Sequence, residues 1–387
     1  MNSFSAIPEA THEIKRFEHG EALTTCRFSP DGRYVFAGAE DLAVHRWDVS
    51  TGTTATLEGH ESWVRRIDFS VDGSQLLTAG WDGQIGFWET DGENPQPHHM
   101  LQAHRGFARW VHASPDGKSI ATCGNDLRVR TWKLKNYKMT ADMGGHDRHP
   151  YAVMYHPDGD HLASEDLMGW IHIWDTRRRR IASKIHADIM TGYDNKFAAD
   201  MGGARDMEFH PDGSRFACAG ISNVVNSFAG QQDPLAILVD WNTKQIECHL
   251  EAKDKATGVM WGVSFHPNGF VACGIAKQNG SGTIEFFKVD KESIDSARVE
   301  QTTEKTNDEQ PSSETSDKTD EDSSESKPAA PTLKSYFSVA VDKCVRGMDF
   351  SPDGKQIAIA CSDGTLRILE MNKKAETESE SDKKSEG

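Results

Sequence analysis

Seven times along the 387-residue chain a turn tetrapeptide recurs: Ser29-Pro30-Asp31-Gly32, Ser70-Val71-Asp72-Gly73, Ser114-Pro115-Asp116-Gly117, His156-Pro157-Asp158-Gly159, His210-Pro211-Asp212-Gly213, His266-Pro267-Asn268-Gly269 and Ser351-Pro352-Asp353-Gly354. In five of them a large apolar residue follows the first residue by 18 positions, pairing Ser29 with Trp47, Ser70 with Trp88, Ser114 with Trp132, His156 with Trp174 and Ser351 with Leu369. Within each tetrapeptide Pro presets φ, Asp bonds its own backbone and Gly supplies the positive φ that returns the chain. Each is therefore expected to be a three-residue hairpin loop ending on its glycine. A period of roughly 40–45 residues, with turn chemistry at one end and Trp-Asp at the other, marks a radial repeat. Such units cannot bury their faces alone and must stack into one body, which overrides the two or three domains that length alone suggests.

Between the turns the pattern is that of strands. Trp63-Val64-Arg65-Arg66-Ile67-Asp68-Phe69, Gln75-Leu76-Leu77-Thr78-Ala79 and Gln84-Ile85-Gly86-Phe87-Trp88 alternate apolar and polar residues with period two. No long amphipathic helix is legible, so the expected class is an all-β propeller. Gly-His elements stand at Glu58-Gly59-His60 and Gly145-His146, with Ala103-His104 as a variant. Trp-Asp endings stand at Trp47-Asp48 and Trp174-Asp175, softened to Trp88-Glu89, Trp132-Lys133 and Trp241-Asn242. On these motifs the chain resembles the WD40-repeat family over roughly residues 11–371. The resemblance implies seven blades, with the N-terminal segment Thr11–Phe17 closing the ring as the outer strand beside Thr365–Leu369. It also implies a structural Asp-His-Ser/Thr-Trp network. The matching residues are His60, Thr78, Asp82 and Trp88; His104, Thr122, Asp126 and Trp132; and His146, Ser164 and Trp174. Ala37 replaces the hydroxyl of the first repeat, Met168 the aspartate of the fourth, and Phe287 and Leu369 the tryptophans of the last two. Blades one, six and seven are accordingly expected to be held mainly by apolar packing.

The expected organisation is an extension over 1–10, blades one to six over 11–290, a disordered acidic insertion over 291–331, blade seven over 332–371 and a disordered polar tail over 372–387. Lys291–Pro331 is Glu, Asp, Ser, Thr and Lys with almost no apolar content, too little to offset its ordering entropy. Ser335–Val339 reads as the outer strand of blade six, so the tract should leave the bottom face. Trp174 and His210 are 36 positions apart where Trp47 and Ser70 are 23 apart, and His210 and Trp241 are 31 apart instead of 18. Extra loops are thus expected at His186–Gly203 and near Ile221–Pro234, both on the face the family calls the top, where long loops are more often functional than idle.

A formal net charge of −17 argues against a general nucleic-acid binder, which needs a basic surface to displace counterions, though its uneven spread leaves room for a local basic site. Met1–Ile14 lacks a basic stretch followed by an apolar run, so no secretory signal is expected, and no segment reaches the ~18–20 apolar residues of a membrane span. The seven cysteines are scattered without a C-x-x-C, which reads as reduced, buried thiols in a cytoplasmic protein rather than a zinc or redox set.

Aligned four positions before the apolar residue that precedes each tetrapeptide stand Arg65, Arg109, Arg205 and Arg346, with Thr24, Tyr151 and Trp261 in the other repeats. Two positions earlier come Trp63, Phe107 and His149, and Trp81 adds a further aromatic. The resemblance implies that these residues ring the top of a central channel. Arginine among aromatics is the composition of binding hot spots, and guanidinium forks grip carboxylates and phosphates. The expected function is a non-catalytic scaffold, monomeric by default, that binds an acidic or phosphorylated peptide through this rim, with no cofactor or metal. The plainer reading is that the arginines pair with blade acids such as Asp68 and Asp206. The alternative function is a propeller hydrolase or metal-dependent lyase, which would show three or more His, Asp or Glu converging at the channel mouth. Arg177-Arg178-Arg179-Arg180 is either an anion site or, more plainly, an edge strand with outward-pointing charges. His98-His99 and His146-Asp147-Arg148-His149 lack a full ligand set, no G-x-S-x-G is present, and Gly280-Ser281-Gly282 is expected to be a hairpin turn.

Overall fold

The computed structural model describes residues 6–92, 95–194, 198–226, 231–308 and 329–372. All seven turn glycines adopt left-handed backbone, with φ between 67° at Gly117 and 86° at Gly269. Each donates its N–H to the carbonyl of the Ser or His that opens its tetrapeptide, as Gly32 does to Ser29 at 2.8 Å. Asp31 then accepts from the Ser29 hydroxyl at 2.5 Å and the Arg33 N–H at 3.0 Å. These turns join the innermost strand of each blade to the second.

Seven blades result, each built on a four-stranded antiparallel sheet whose first three strands follow in sequence order from the channel outward. Blade two, for example, runs Val64–Phe69, Gln75–Gly80, Gln84–Glu89 and Pro97–Gln102. In blade seven the outer strand is His12–Glu18, paired antiparallel with Thr365–Glu370 from Glu18 opposite Thr365 to His12 opposite Glu370. The expected closing strand is thus in place, and it completes the four-stranded sheet of blade seven. The inner strands run from the top toward the seven turns at the bottom, so every third strand also ends at the bottom.

Six apolar clusters fill the spaces between blades, the largest running from Trp110 to Trp241 across blades three to five. Polar contacts link neighbours too: His156 bonds the Gly213 carbonyl of the next blade at 2.9 Å, and His266 bonds that of Gly354 at 2.7 Å. The Asp-His-Ser/Thr-Trp network is complete in blade two. Trp88 Nε1 donates to Thr78 at 2.9 Å, Thr78 Oγ1 lies 2.7 Å from His60 Nε2, and His60 Nδ1 lies 2.8 Å from Asp82. Blade three repeats it through Trp132, Thr122, His104 and Asp126. Blade four corrects the expectation that Met168 leaves its network without an acid: Asp166, two residues earlier, takes His146 Nδ1 at 2.8 Å, and Ser164 joins His146 to Trp174.

Blades one, six and seven also carry more polar structure than apolar packing alone. Asp41 holds both His19 and His45, Glu285 accepts the buried Ser335 hydroxyl at 2.6 Å, and Arg367 bonds Asp342 at 2.5 Å. The second insertion is a lengthened hairpin rather than a loop, Arg215–Asn226 against Gln231–Asp240. The first contains a short 3-10 turn, Asp188–Met190, and a small hairpin pairing Tyr193–Asp194 with Ala199–Asp200. Both extend blade five at the top.

The acidic tract also departs from expectation at its start. Lys291–Asp308 is a helix, begun by Asp290, whose carboxylate accepts the Ser293 N–H at 2.8 Å. Ile294 is buried in the blade-five and blade-six cluster with Leu333, a docking contact that composition does not reveal. Thr332–Lys334 then adds a fifth strand to blade five, parallel to Gln245–Glu251, before Phe337–Val341 completes blade six. The rest of the tract and the tail beyond residue 372 lie outside the described residues. Arg177–Arg179 form a turn rather than an edge strand, and the strand begins at Arg180. Arg177 pairs with Asp160 and Arg178 with Asp175. His98 and His99 fall within the outer strand Pro97–Gln102 rather than a connection, and Gly280 sits in the hairpin turn before Gly282–Lys288. Among the described residues no helix is long and apolar enough to cross a membrane.

Replacing Thr78 by Val keeps the volume but strips the buried Trp88 N–H and the His60 ring of their shared partner. The expected cost is about 1–3 kcal/mol, read as a lower midpoint in denaturant unfolding.

Candidate functional site

The inner strands place their first residues at the top of the channel, so one repeated alignment position becomes one ring. Arg65, Arg109, Tyr151, Arg205, Trp261 and Arg346 line a single cavity of about 390 Å³, together with Trp63 and Trp81. Glu40, Trp110 and Cys344 line it as well and were not singled out from sequence; Trp110 stands one residue after Arg109, and Glu40 comes from the second-to-third strand turn of blade one. Phe107 is set behind the wall, stacked on Trp81 at 4.7 Å. Thr24 is buried against the Val64 carbonyl, and His149 is absent from the lining.

The guanidiniums rest on aromatic faces. Arg65 lies 4.6 Å from the Trp261 ring, Arg109 4.2 Å from Tyr151 and 4.8 Å from Phe107, and Arg205 4.9 Å from Tyr151, an arrangement that attracts each cation to ring electrons. Among the described residues Arg346 is the one rim arginine joined to a carboxylate, Glu40 at 2.5 Å. Arg109 donates to the Asn125 side chain at 2.7 Å, and Arg205 to backbone carbonyls including Gly202 at 2.9 Å. Burial, with Arg346, Arg109 and Arg205 close by, pulls Arg65 down to about 10, and burial lowers Arg109 and Arg205 as well. All stay charged at neutral pH.

The acids suspected of neutralising this rim are engaged one layer deeper. Asp206 takes Arg66 at 2.7 Å, and Asp68 lies 3.6 Å from Arg27. That layer also stitches blades together. Asp68 accepts the Ala113 N–H at 2.8 Å, His112 Nδ1 that of Tyr155 at 3.1 Å, Glu208 that of Phe265 at 3.2 Å, and Asp349 that of Phe28 at 2.8 Å. All four stand two residues before a turn tetrapeptide. Burial pushes His112 down to about 4 and Glu208 up to about 7, so the imidazole is neutral and can accept.

Among the described residues the mouth gathers arginines and aromatics, with Glu40 the acid on its lining. The convergence of three or more His, Asp or Glu that the enzyme alternative expects is not found on this lining among the described residues. The wall beside blade five carries exposed Tyr193 and Val225 from the two insertions.

The repeats match a known family model, "WD domain, G-beta repeat", at residues 11–48, 52–89 and 95–133, and residues 334–386 match the model of the anaphase-promoting complex subunit 4 WD40 domain. The chain belongs to the WD40-repeat family. Its WD40 relatives include nuclear distribution protein PAC1 of Arthroderma otae, 24% identical over 199 residues, 44% of this chain and 43% of that protein. Transcription initiation factor TFIID subunit 5 of Caenorhabditis elegans is 26% identical over 194 residues, 50% and 30% of the two chains. Human DDB1- and CUL4-associated factor 10 is 31% identical over 88 residues, 22% and 16%. The chain spans less than half the length of each of these relatives. WD40 propellers of this kind serve as protein-interaction scaffolds.

Beside the rim, Glu165 is fully buried, accepts the Ala204 N–H at 3.1 Å and is pushed up to about 8 by burial. A carboxyl raised in the folded state loses stability as pH rises from its ordinary value of 4.5 through about 8, because the unfolded chain ionises first. Glu165→Gln cannot ionise, so the difference in thermal midpoint between the variant and the parent should grow in favour of the variant across that window. A constant difference would show that Glu165 does not titrate there.

Proposed function

We propose that this WD40 propeller is a non-catalytic scaffold whose top rim receives an acidic or phosphorylated segment of a partner protein. One observation carries the reading: Arg65, Arg109 and Arg205 share one mouth, partly buried and facing one another, with no carboxylate among the described residues paired to any of them. Like charges held together out of water are costly, and an anion between them removes that cost while accepting forked hydrogen bonds. The aromatic floor supplies the desolvated, rigid contact area that makes an arginine a hot spot. Arg346, already tied to Glu40, exchanges that partner for the ligand or flanks it. The extended hairpin and small hairpin of blade five form the wall against which a longer segment is read.

The relatives agree with this at a coarser level: one is named as a subunit of an initiation factor and another as a factor associated with DDB1 and CUL4. All seven cysteines are unpaired and six are buried, which suits a reducing compartment, and the proposal places the protein in the cytoplasm.

The test uses fluorescent peptides of acidic sequence, with and without a phosphoserine, titrated by anisotropy at two salt concentrations. Binding should weaken with salt, and Arg65→Ala, Arg109→Ala and Arg346→Ala combined should weaken it by about thirtyfold or more. Equal affinity in the parent and the triple variant, with the variant's far-UV spectrum unchanged, would overturn the proposal.

A further inference from the structure

Away from the channel, blade one breaks the polar network in a way that gathers ligands instead of relaying hydrogen bonds. In blades two and three the histidine entering the blade divides its nitrogens, Nδ1 to the aspartate and Nε2 to a hydroxyl. Blade one has Ala37 where that hydroxyl stands and His45 where blade two has Gly86. With no hydroxyl to bond, His19 turns its Nε2 to Asp41 Oδ2 at 3.0 Å. His45 brings its own Nε2 to the same oxygen at 2.8 Å, and the two rings lie 3.8 Å apart at 41°. Among the described residues this is the one place where ligand atoms of three His, Cys, Asp or Glu residues lie within 4.8 Å of one another.

Blade four supplies an internal comparison. Its third strand also carries a histidine at the matching position, His172, stacked on His146 at 3.9 Å. There Ser164 still holds His146 Nε2, the His172 Nδ1 has no partner, and the convergent cluster does not form. The extra imidazole therefore makes a cluster only where the hydroxyl has been lost.

We propose that His19, Asp41 and His45 bind a divalent transition-metal ion of the zinc class, the imidazoles through Nε2 and the carboxylate through Oδ2. Two imidazoles and one carboxylate form a borderline nitrogen and oxygen set suited to zinc, with a fourth position left to water. Side-chain exposures of 16% for His19 and 31% for Asp41 leave a path from solvent. The ligands are also oriented from behind. The second Asp41 oxygen accepts the Ala43 N–H at 3.1 Å, and His45 Nδ1 lies 3.3 Å from the Thr56 hydroxyl, so a proton on Nδ1 frees Nε2 for the ion.

Position makes the site consequential. His19 directly follows the closing strand His12–Glu18, and its N–H donates to Gly364 of blade seven at 3.0 Å. Asp41 and His45 belong to blade one. A bound ion would clip the closing strand to the first blade and stabilise the ring by mass action. Without an ion, the same geometry is a carboxylate bonded to two imidazoles, and the experiment separates the two.

Zinc chloride is titrated into the chelator-treated full chain by calorimetry, with the thermal midpoint followed in parallel. One ion per chain should bind with micromolar affinity or tighter and raise the midpoint. His19→Gln and His45→Gln should each weaken binding about tenfold or more, while His172→Gln leaves it unchanged. No stoichiometric binding, or an affinity in both ligand variants equal to the parent's, overturns the proposal. If a ligand variant does not fold, the visible spectrum of the cobalt-loaded parent decides: intense four-coordinate bands support the site, and the weak spectrum of the hydrated ion rejects it.

Discussion

Antiparallel pairing between the start and the end of the chain holds the ring shut. His12–Glu18 lies on Thr365–Glu370, residues some 350 positions apart in sequence, and until it does so blade seven has an open edge and blade one lacks a neighbour on one side. Apart from Arg66–Asp206 and Arg65–Trp261, which cross the channel from blade two to blades five and six, the contacts between blades described above join neighbours: an apolar cluster, a buried acid reaching the next inner strand, or a turn histidine reaching the next turn. Such pairwise terms add up around a circle only if the circle is complete. The closing strand is itself among the more exposed in the molecule, with a repeating half-buried and exposed pattern, so its hold comes from the ladder and from flanking side chains such as Arg367 rather than from a core of its own.

The two layers of the channel treat charge in opposite ways. In the deeper layer arginines and carboxylates are mixed, and each acid also accepts a backbone N–H from the adjacent blade, so burial of charge is compensated and used to fix blade spacing. At the rim, Arg65, Arg109 and Arg205 rest against aromatic rings and amide or backbone carbonyls, with no carboxylate among the described residues paired to them. Sites where local stability rules are set aside without compensation are where function is expected, and the contrast within one channel makes the rim stand out more than its arginine content would by itself.

Much of this was legible from the residue string because the fold converts repeat position into angular position. Seven glycines required to adopt positive φ announced seven hairpins, and aligning on them brought Arg65, Arg109, Arg205 and Arg346 to one level before any coordinates were considered. What escaped depends on contacts between distant segments. Asp166 replaces an acid expected two residues later because the turn geometry, not the count, brings it to His146. The helix Lys291–Asp308 is unremarkable in composition and stands on Ile294 meeting Leu333 from beyond the tract. The meeting of His19 with His45 required knowing that the loss of one hydroxyl at Ala37 lets an imidazole turn over.

The polar tract inserted between the third and outer strands of blade six leaves from a docked helix and returns as a strand bonded to the outer edge of blade five, with Lys334 paired to Glu251 at 2.6 Å. Both of its ends are therefore moored to the same rigid wall. The entropic cost of joining two fixed moorings rises by only about 0.6 kcal/mol for each doubling of the length of chain between them. The propeller can thus tolerate growth, shortening or replacement of that span while its circular architecture stays intact, and anything grafted there would ride at one defined address beneath the disc.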